Sequence, residues 1–342
     1  MSPMSSRERV ISTIERSGID RVPVGPPFQG YWALAEKSLS VPDSIKNPKL
    51  AAEVQFELAN KCGFDAIETM WDWLAMVEKI GCKANIPDVG SPSTASHIIT
   101  DQAVLDSLEI PDPSSDYRAV AASETTRHLI DKFDKEKFLY MTLVSPFTLV
   151  GELRGVENLM LDMYDDKSFV DSMLRYATDV LKVYADYLLD TGVDGIILCD
   201  PTASADLISK DDFNNFSKSY TREVGKVIRD RDACLLLHIC GNTSDRLADI
   251  AEIGADVFSL DFLVDLGYAK ETIGDRQILL GNVNPAETLF NGTSDEVMTE
   301  ARACIEKTGG EGLILGAGCD IAPNSPLENI MKLSAAAIEK SV

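Results

Sequence analysis

A chain of 342 residues with 45% hydrophobic and 25% charged residues has ordinary globular composition and enough apolar surface to bury a large core, which excludes a disordered chain. Its formal net charge of −23 and pI near 4.5 repel phosphate backbones and anionic lipid, so nucleic acid is not an expected partner. No stretch reaches the roughly 18 apolar residues of a membrane span, residues 1–18 carry no signal-like apolar segment, and seven cysteines without a framework spacing read as free thiols in a reducing compartment, so a cytoplasmic location is expected.

In chain order, short apolar runs rich in β-branched residues fall at 22–25, 64–69, 138–144, 195–199, 234–239, 257–261, 277–281 and 313–317. They alternate with longer stretches at helical spacing, such as 166–190 and 210–229, the pattern of parallel strands joined by helical crossovers. Gly81, Pro87, Gly90 and Pro92 break the rhythm within 76–100, which reads as a hairpin-like insertion after the second strand. Eight parallel strands favour closure, so the expected fold is one (β/α)8 TIM-barrel domain over 1–342 with an N-terminal helical extension.

In such a barrel the chemistry sits at the carboxyl ends of the strands, and here those ends carry Glu68, Ser145, Asp200, His238, Cys240, Asp261, Asn282 and Cys319. His238 and Cys240 are two apart at a strand end and point to one side. Imidazole nitrogen and thiolate sulfur suit Zn²⁺, and Cys319, in the Gly-rich end of the eighth strand, is the expected third ligand. Three protein ligands leave a fourth position open, as in catalytic zinc sites. Cys62, Cys82, Cys199 and Cys304 read as small buried hydrophobes, as does Cys234 deeper in its strand, and His97 and His128 as surface or packing residues.

The runs His238-Ile239-Cys240-Gly241-Asn242, Asp200-Pro201-Thr202-Ala203-Ser204, Gly281-Asn282-Val283-Asn284-Pro285 and Gly318-Cys319-Asp320-Ile321-Ala322-Pro323 resemble the uroporphyrinogen decarboxylase superfamily. Within it the chain is similar to the zinc-dependent corrinoid methyltransferases, both methylcobamide:coenzyme M methyltransferases and O-demethylase methyltransferases. The decarboxylases of the superfamily carry arginines after the first strand, whereas 22–30 holds none after Arg21, which argues against porphyrinogen decarboxylation. The resemblance carries the zinc ligands onto His238, Cys240 and Cys319. It implies a cobalamin (corrinoid) supplied by a partner protein, since no segment reads as a cobalamin-binding module. A homodimer stays open.

Two chemistries fit: a zinc-held thiol taking a methyl group from methylcobalamin, or zinc polarising a methyl ether whose methyl passes to reduced cobalt. Aromatic residues Phe28, Tyr31, Trp32, Trp71, Trp73 and Phe147 near the early strand ends are expected to stack on a flat ring and tip the reading toward an aryl methyl ether donor. Asp200 and Glu152 are the expected acid or fourth ligand, and Asn242 and Asn282 are expected to orient ligands. A coenzyme M sulfonate would want a cation, for which Arg154 and Lys210 are available. The remaining alternative is a metal-binding scaffold without catalysis.

Overall fold

The Ser5 hydroxyl accepts the Glu8 amide and the Glu8 carboxylate accepts the Ser5 amide, a reciprocal cap that starts the helix Ser6–Ile14. Val10 of this helix, flanked by Ile11 and Ile14, packs with the strand residues Ala66, Tyr140, Ile197, Leu236 and Ile314. The N-terminal extension therefore plugs one end of the strands. This computed structural model describes residues 4–69 and 72–339.

The strands are β1 (Ala66–Glu68), β2 (Lys83–Asn85), β3 (Ser93–Ser96), β4 (Phe138–Val144), β5 (Gly195–Cys199), β6 (Cys234–Ile239), β7 (Val257–Leu260), β8 (Ile278–Val283) and β9 (Leu313–Ala317). Seven of them form one parallel sheet in the order β1-β4-β5-β6-β7-β8-β9. The expected first strand, 22–25, is reduced to a single parallel bridge between Val24 and Leu315, because Pro23, Pro26 and Pro27 offer no N–H to a ladder. It still closes the sheet. The Leu315 amide donates to the Pro23 carbonyl at 2.8 Å and the Ala66 amide to the Val24 carbonyl at 3.2 Å, so this segment joins β9 to β1. The result is the (β/α)8 TIM-barrel fold.

Strands covered on both faces read as continuous apolar runs, and all seven residues of β4 are buried. The insertion after β1 is the antiparallel pair β2–β3, preceded by a helix over Ala75–Ile80. The helical pattern at 166–190 is Lys167–Leu189, capped by Asp166. The one at 210–229 is divided by a π-helical turn, Phe213–Ser217, ahead of Lys218–Asp230. Among the described residues no helix is long and apolar enough to cross a membrane.

At the end of the barrel away from the strand carboxyl termini, Asp65 is fully buried and accepts from Arg9 Nη1 at 2.8 Å, Arg21 Nη1 at 2.7 Å and the Val24 amide at 2.8 Å. One carboxylate thus ties the N-terminal helix, the closing segment and β1 together.

Candidate metal centre

Side chains alternate along β6, so Leu236 and His238 form one inward file that Cys240 continues just past the strand. The register pairs Cys199 with His238 and His238 with Ser259. A polar layer therefore caps the apolar barrel interior. His238 is 1% exposed, and its Nδ1 lies 3.1 Å from the Ser259 carbonyl oxygen and 3.0 Å from Ser259 Oγ. A carbonyl only accepts, so Nδ1 carries the proton and Nε2 presents its lone pair.

That lone pair meets two sulfurs. His238 Nε2 is 3.1 Å from Cys240 Sγ and 3.7 Å from Cys319 Sγ, and the two sulfurs are 3.6 Å apart. Tetrahedral zinc with Zn–S bonds of about 2.3 Å would hold its sulfurs roughly 3.7 Å apart, so the donor set and its spacing fit that ion. The hydrogen bond between the two thiols pulls Cys319 down and, together with burial, pushes Cys240 up, so Cys319 is the readier thiolate and metal binding would displace the remaining thiol proton.

Glycines let the loops approach. At Gly241 φ is +76°, and a Cβ there would run into Ser204 Oγ and the Asp206 carboxylate. A Cβ at Gly318 would lie 2.5 Å from the Phe262 amide nitrogen. The Asp261 carboxylate accepts from the amides of Gly241 and Leu263, each at 2.9 Å, and so fixes the turn that follows Cys240.

Beside the three donors lies a cavity of about 200 Å³ whose wall includes Phe28, Tyr31, Glu68, Trp73, Cys199 and Asp320. Phe28 sets its ring edge-on to His238, with centroids 5.0 Å apart. Glu68 accepts from Thr142 Oγ1 at 3.2 Å and from the Gly30 amide at 3.3 Å. Burial and the neighbouring Cys319 push the Asp320 carboxyl well above the usual range. Larger grooves of about 550 and 800 Å³ lie at the opposite end of the barrel, away from these donors.

The structure brings together His238, Cys240, Cys319, Phe28, Tyr31 and Trp73, but not the other residues expected at the site. Asp200 is buried with both oxygens engaged, accepting from Thr148 Oγ1 at 2.7 Å and from Ser217 Oγ of the π-helical turn at 2.5 Å. It anchors the loop after β5, and burial raises its pKa to about 6. Glu152 meets the insertion through its backbone, where His97 Nδ1 lies 2.7 Å from its carbonyl oxygen, and its side chain does not line the cavity. Phe147 is fully buried in the core. Asn242 is exposed and accepts from the Ser244 amide at 3.0 Å. Asn282 donates to the carbonyls of Asp261 at 3.1 Å and Val264 at 2.7 Å, tying β8 to the loop after β7. Trp71 lies outside the described residues. Of the cysteines expected to be plain core, Cys199 stands in the cavity wall.

Sequence reasoning passed over Ser259, Thr142 and Asp320 as site residues. The first two had a signal: single hydroxyls inside apolar strands, at inward positions. Ser259→Ala is expected to weaken zinc affinity about tenfold, the lower range for residues that orient a ligand, because the carbonyl partner of Nδ1 remains. Competition with a chelating dye measures it, and unchanged affinity would assign the orienting role to the carbonyl alone.

A profile of the uroporphyrinogen decarboxylase (URO-D) family matches residues 5–339. The chain belongs to the uroporphyrinogen decarboxylase family. Within this family it is 29% identical over 341 residues, 98% of each chain, to the methylcobamide:CoM methyltransferase MtaA of Methanosarcina barkeri. It is 28% identical to the uroporphyrinogen decarboxylase of Aliarcobacter butzleri, over 89% of this chain and 92% of that one. A solved methyltransferase from Methanosarcina mazei superposes with a TM-score of 0.90 at 27% identity, covering 99% of this chain and 100% of that one.

Proposed function

We propose that the protein is a zinc-dependent methyltransferase that passes a methyl group from the corrinoid of a partner protein to a small thiol. The observation that carries this reading is the His238, Cys240 and Cys319 triad, with all three donor atoms within 4.8 Å of one another at the wall of a small cavity. The printed names of the M. barkeri and M. mazei relatives support a methyltransferase, and the first supports a thiol acceptor.

Bound zinc supplies Lewis acidity that keeps a thiol in its thiolate form. The thiol proton leaves to solvent. A corrinoid brought by the partner would supply the methyl group and keep the electron pair of the bond that breaks, while His238, Cys240 and Cys319 would hold the zinc beside the sulfur that gains the new S–C bond. His238 is held in one tautomer by Ser259, so the reacting site needs no rearrangement of that ligand. Phe28 shields the imidazole edge, and Glu68 is fixed in the wall by Thr142 and the Gly30 amide.

The aryl methyl ether expected from the aromatic residues is not retained. Phe147 and Trp32 pack in the core, so the ring-stacking wall is thinner than the sequence suggests. The relatives' names favour the thiol instead. Porphyrinogen decarboxylation has no support either, because Arg21 is committed to Asp65 and a cavity of about 200 Å³ is small for a macrocycle.

Zinc-edge X-ray absorption tests the reading. Adding a panel of small thiols, coenzyme M among them, is expected to replace one light-atom neighbour of zinc by sulfur and to release about one proton per site. A zinc edge unmoved by every thiol, with methyl transfer from an aryl ether instead, would reverse the direction proposed.

A further inference from the structure

The cavity beside the three donors has the wrong electrical character for a sulfonate. Among the described residues no lysine or arginine lines it, while Glu68 and Asp320 do, together with the rings of Phe28, Tyr31 and Trp73. Two polar atoms in this wall have no hydrogen-bond partner among the described residues: the hydroxyl of Tyr31, a residue only 8% exposed, and Asp320 Oδ1. A buried polar atom without a partner costs free energy that a ligand of the right chemistry recovers.

Arg118 and the two cations that the sequence offered for a sulfonate are engaged elsewhere. Arg118, whose field extends to Tyr31, is 1% exposed and ion-paired with Asp72 and Glu78. Arg154 pairs with Asp162 and donates to the carbonyls of Ile99 and Thr100. Lys210 pairs with Asp249. A sulfonate entering here would exchange its water for a wall that offers the Glu68 carboxylate and, among the described residues, no cation, inside a molecule whose net charge is already −23. An ammonium group is the complement: its N–H bonds suit Asp320 Oδ1 and the Tyr31 oxygen, and its charge suits the Glu68 carboxylate and the aromatic faces.

We infer that the cavity selects a short thiol carrying an ammonium group over one carrying a sulfonate, and that Glu68, Asp320 and Tyr31 make that selection. The inference rests on the thiol reading above and departs from the acceptor in the relative's printed name. The three residues bind and orient the acceptor's tail, leaving its sulfur toward His238, Cys240 and Cys319.

Cysteamine and coenzyme M share a two-carbon thiol and differ in ending in ammonium or sulfonate. Calorimetric titration of the zinc-loaded protein is expected to show cysteamine binding at least roughly tenfold more tightly, with the preference falling below about threefold in Glu68→Gln and in Tyr31→Phe while zinc content is unchanged. Coenzyme M binding as tightly or more tightly overturns the inference, as does an undiminished preference in both variants. Propylammonium and propane-1-sulfonate, followed by saturation-transfer NMR, read the charge preference without a thiol. If neither thiol moves the zinc edge but propylammonium binds in preference to the sulfonate, the thiol reading fails and the cation-selective cavity stands. Preference for propane-1-sulfonate, or binding of neither propyl compound, overturns the cavity's assignment.

Discussion

Cys240→Ala/Cys319→Ala protein is expected to hold less than roughly a tenth of the zinc of the parent chain, which itself is expected to carry about one ion per chain. Removing both sulfurs leaves His238 as the one ligand of the triad, and a single imidazole does not compete with water and buffer for the ion. Methyl transfer to a thiol is expected to fall at least about a thousandfold, because the acceptor then has neither its position nor its activated form. The folded barrel should survive. Both cysteines lie beyond the last hydrogen-bonded residues of their strands, β6 ending at Ile239 and β9 at Ala317. Elemental analysis, circular dichroism and transfer assays on one preparation separate these statements. Full zinc occupancy in a folded double variant would remove the proposed centre.

Asp65→Asn is expected to produce the largest loss of stability, about 3–5 kcal/mol, the usual result of removing one partner from a buried ion pair. Asp65 is fully buried beneath the guanidinium groups of Arg9 and Arg21, and it also accepts the Val24 amide. The amide of asparagine can replace one accepting oxygen but not the charge. Asp20 remains for Arg9, through Nε at 2.6 Å, whereas the described ion pairs give Arg21 no second carboxylate. Urea unfolding measures the loss. Zinc content at saturating zinc should stay near one ion per folded chain while zinc affinity falls modestly, since Asp65 lies at the end of the barrel opposite the metal donors but anchors the Val24 segment that closes the ring. A loss under 1 kcal/mol would mean that water or a rearranged Asp20 replaces the missing charge.

Seven of the eight expected strand segments were legible because parallel strands buried on both faces are short runs of branched apolar residues, and 138–144 and 234–239 match their observed bounds, whereas 22–25 forms a single bridge. His238 and Cys240 were legible for an equally local reason, the period of two along a strand. Cys319 needed the barrel as an intermediate step, since 79 residues separate it from Cys240. What failed was direction at a strand end. Asp200 and Cys199 are neighbours, yet one turns into the packed helices and the other into the cavity. Phe147 follows a strand, but its helix buries it. Asp320 went unread because a carboxylate after a ligand cysteine is no signal until closure places it opposite Glu68.

The seam of the barrel lends the metal donors a second role. Among the described residues, β9 and β1 are joined by the short segment around Val24, with one bridge to Leu315, where the other junctions of the sheet have ladders of paired residues. Cys319 stands two residues past the end of β9, the strand that forms one lip of this seam, while His238 lies near the end of β6 across the mouth and Cys240 just past it. An ion shared among them would fasten the loose lip to the far wall like a clasp. With the ion bound, breathing of the seam and loss of the ion would become one equilibrium, so whatever favours the closed ring would also favour occupancy, and emptying the centre would loosen the barrel where it is thinnest.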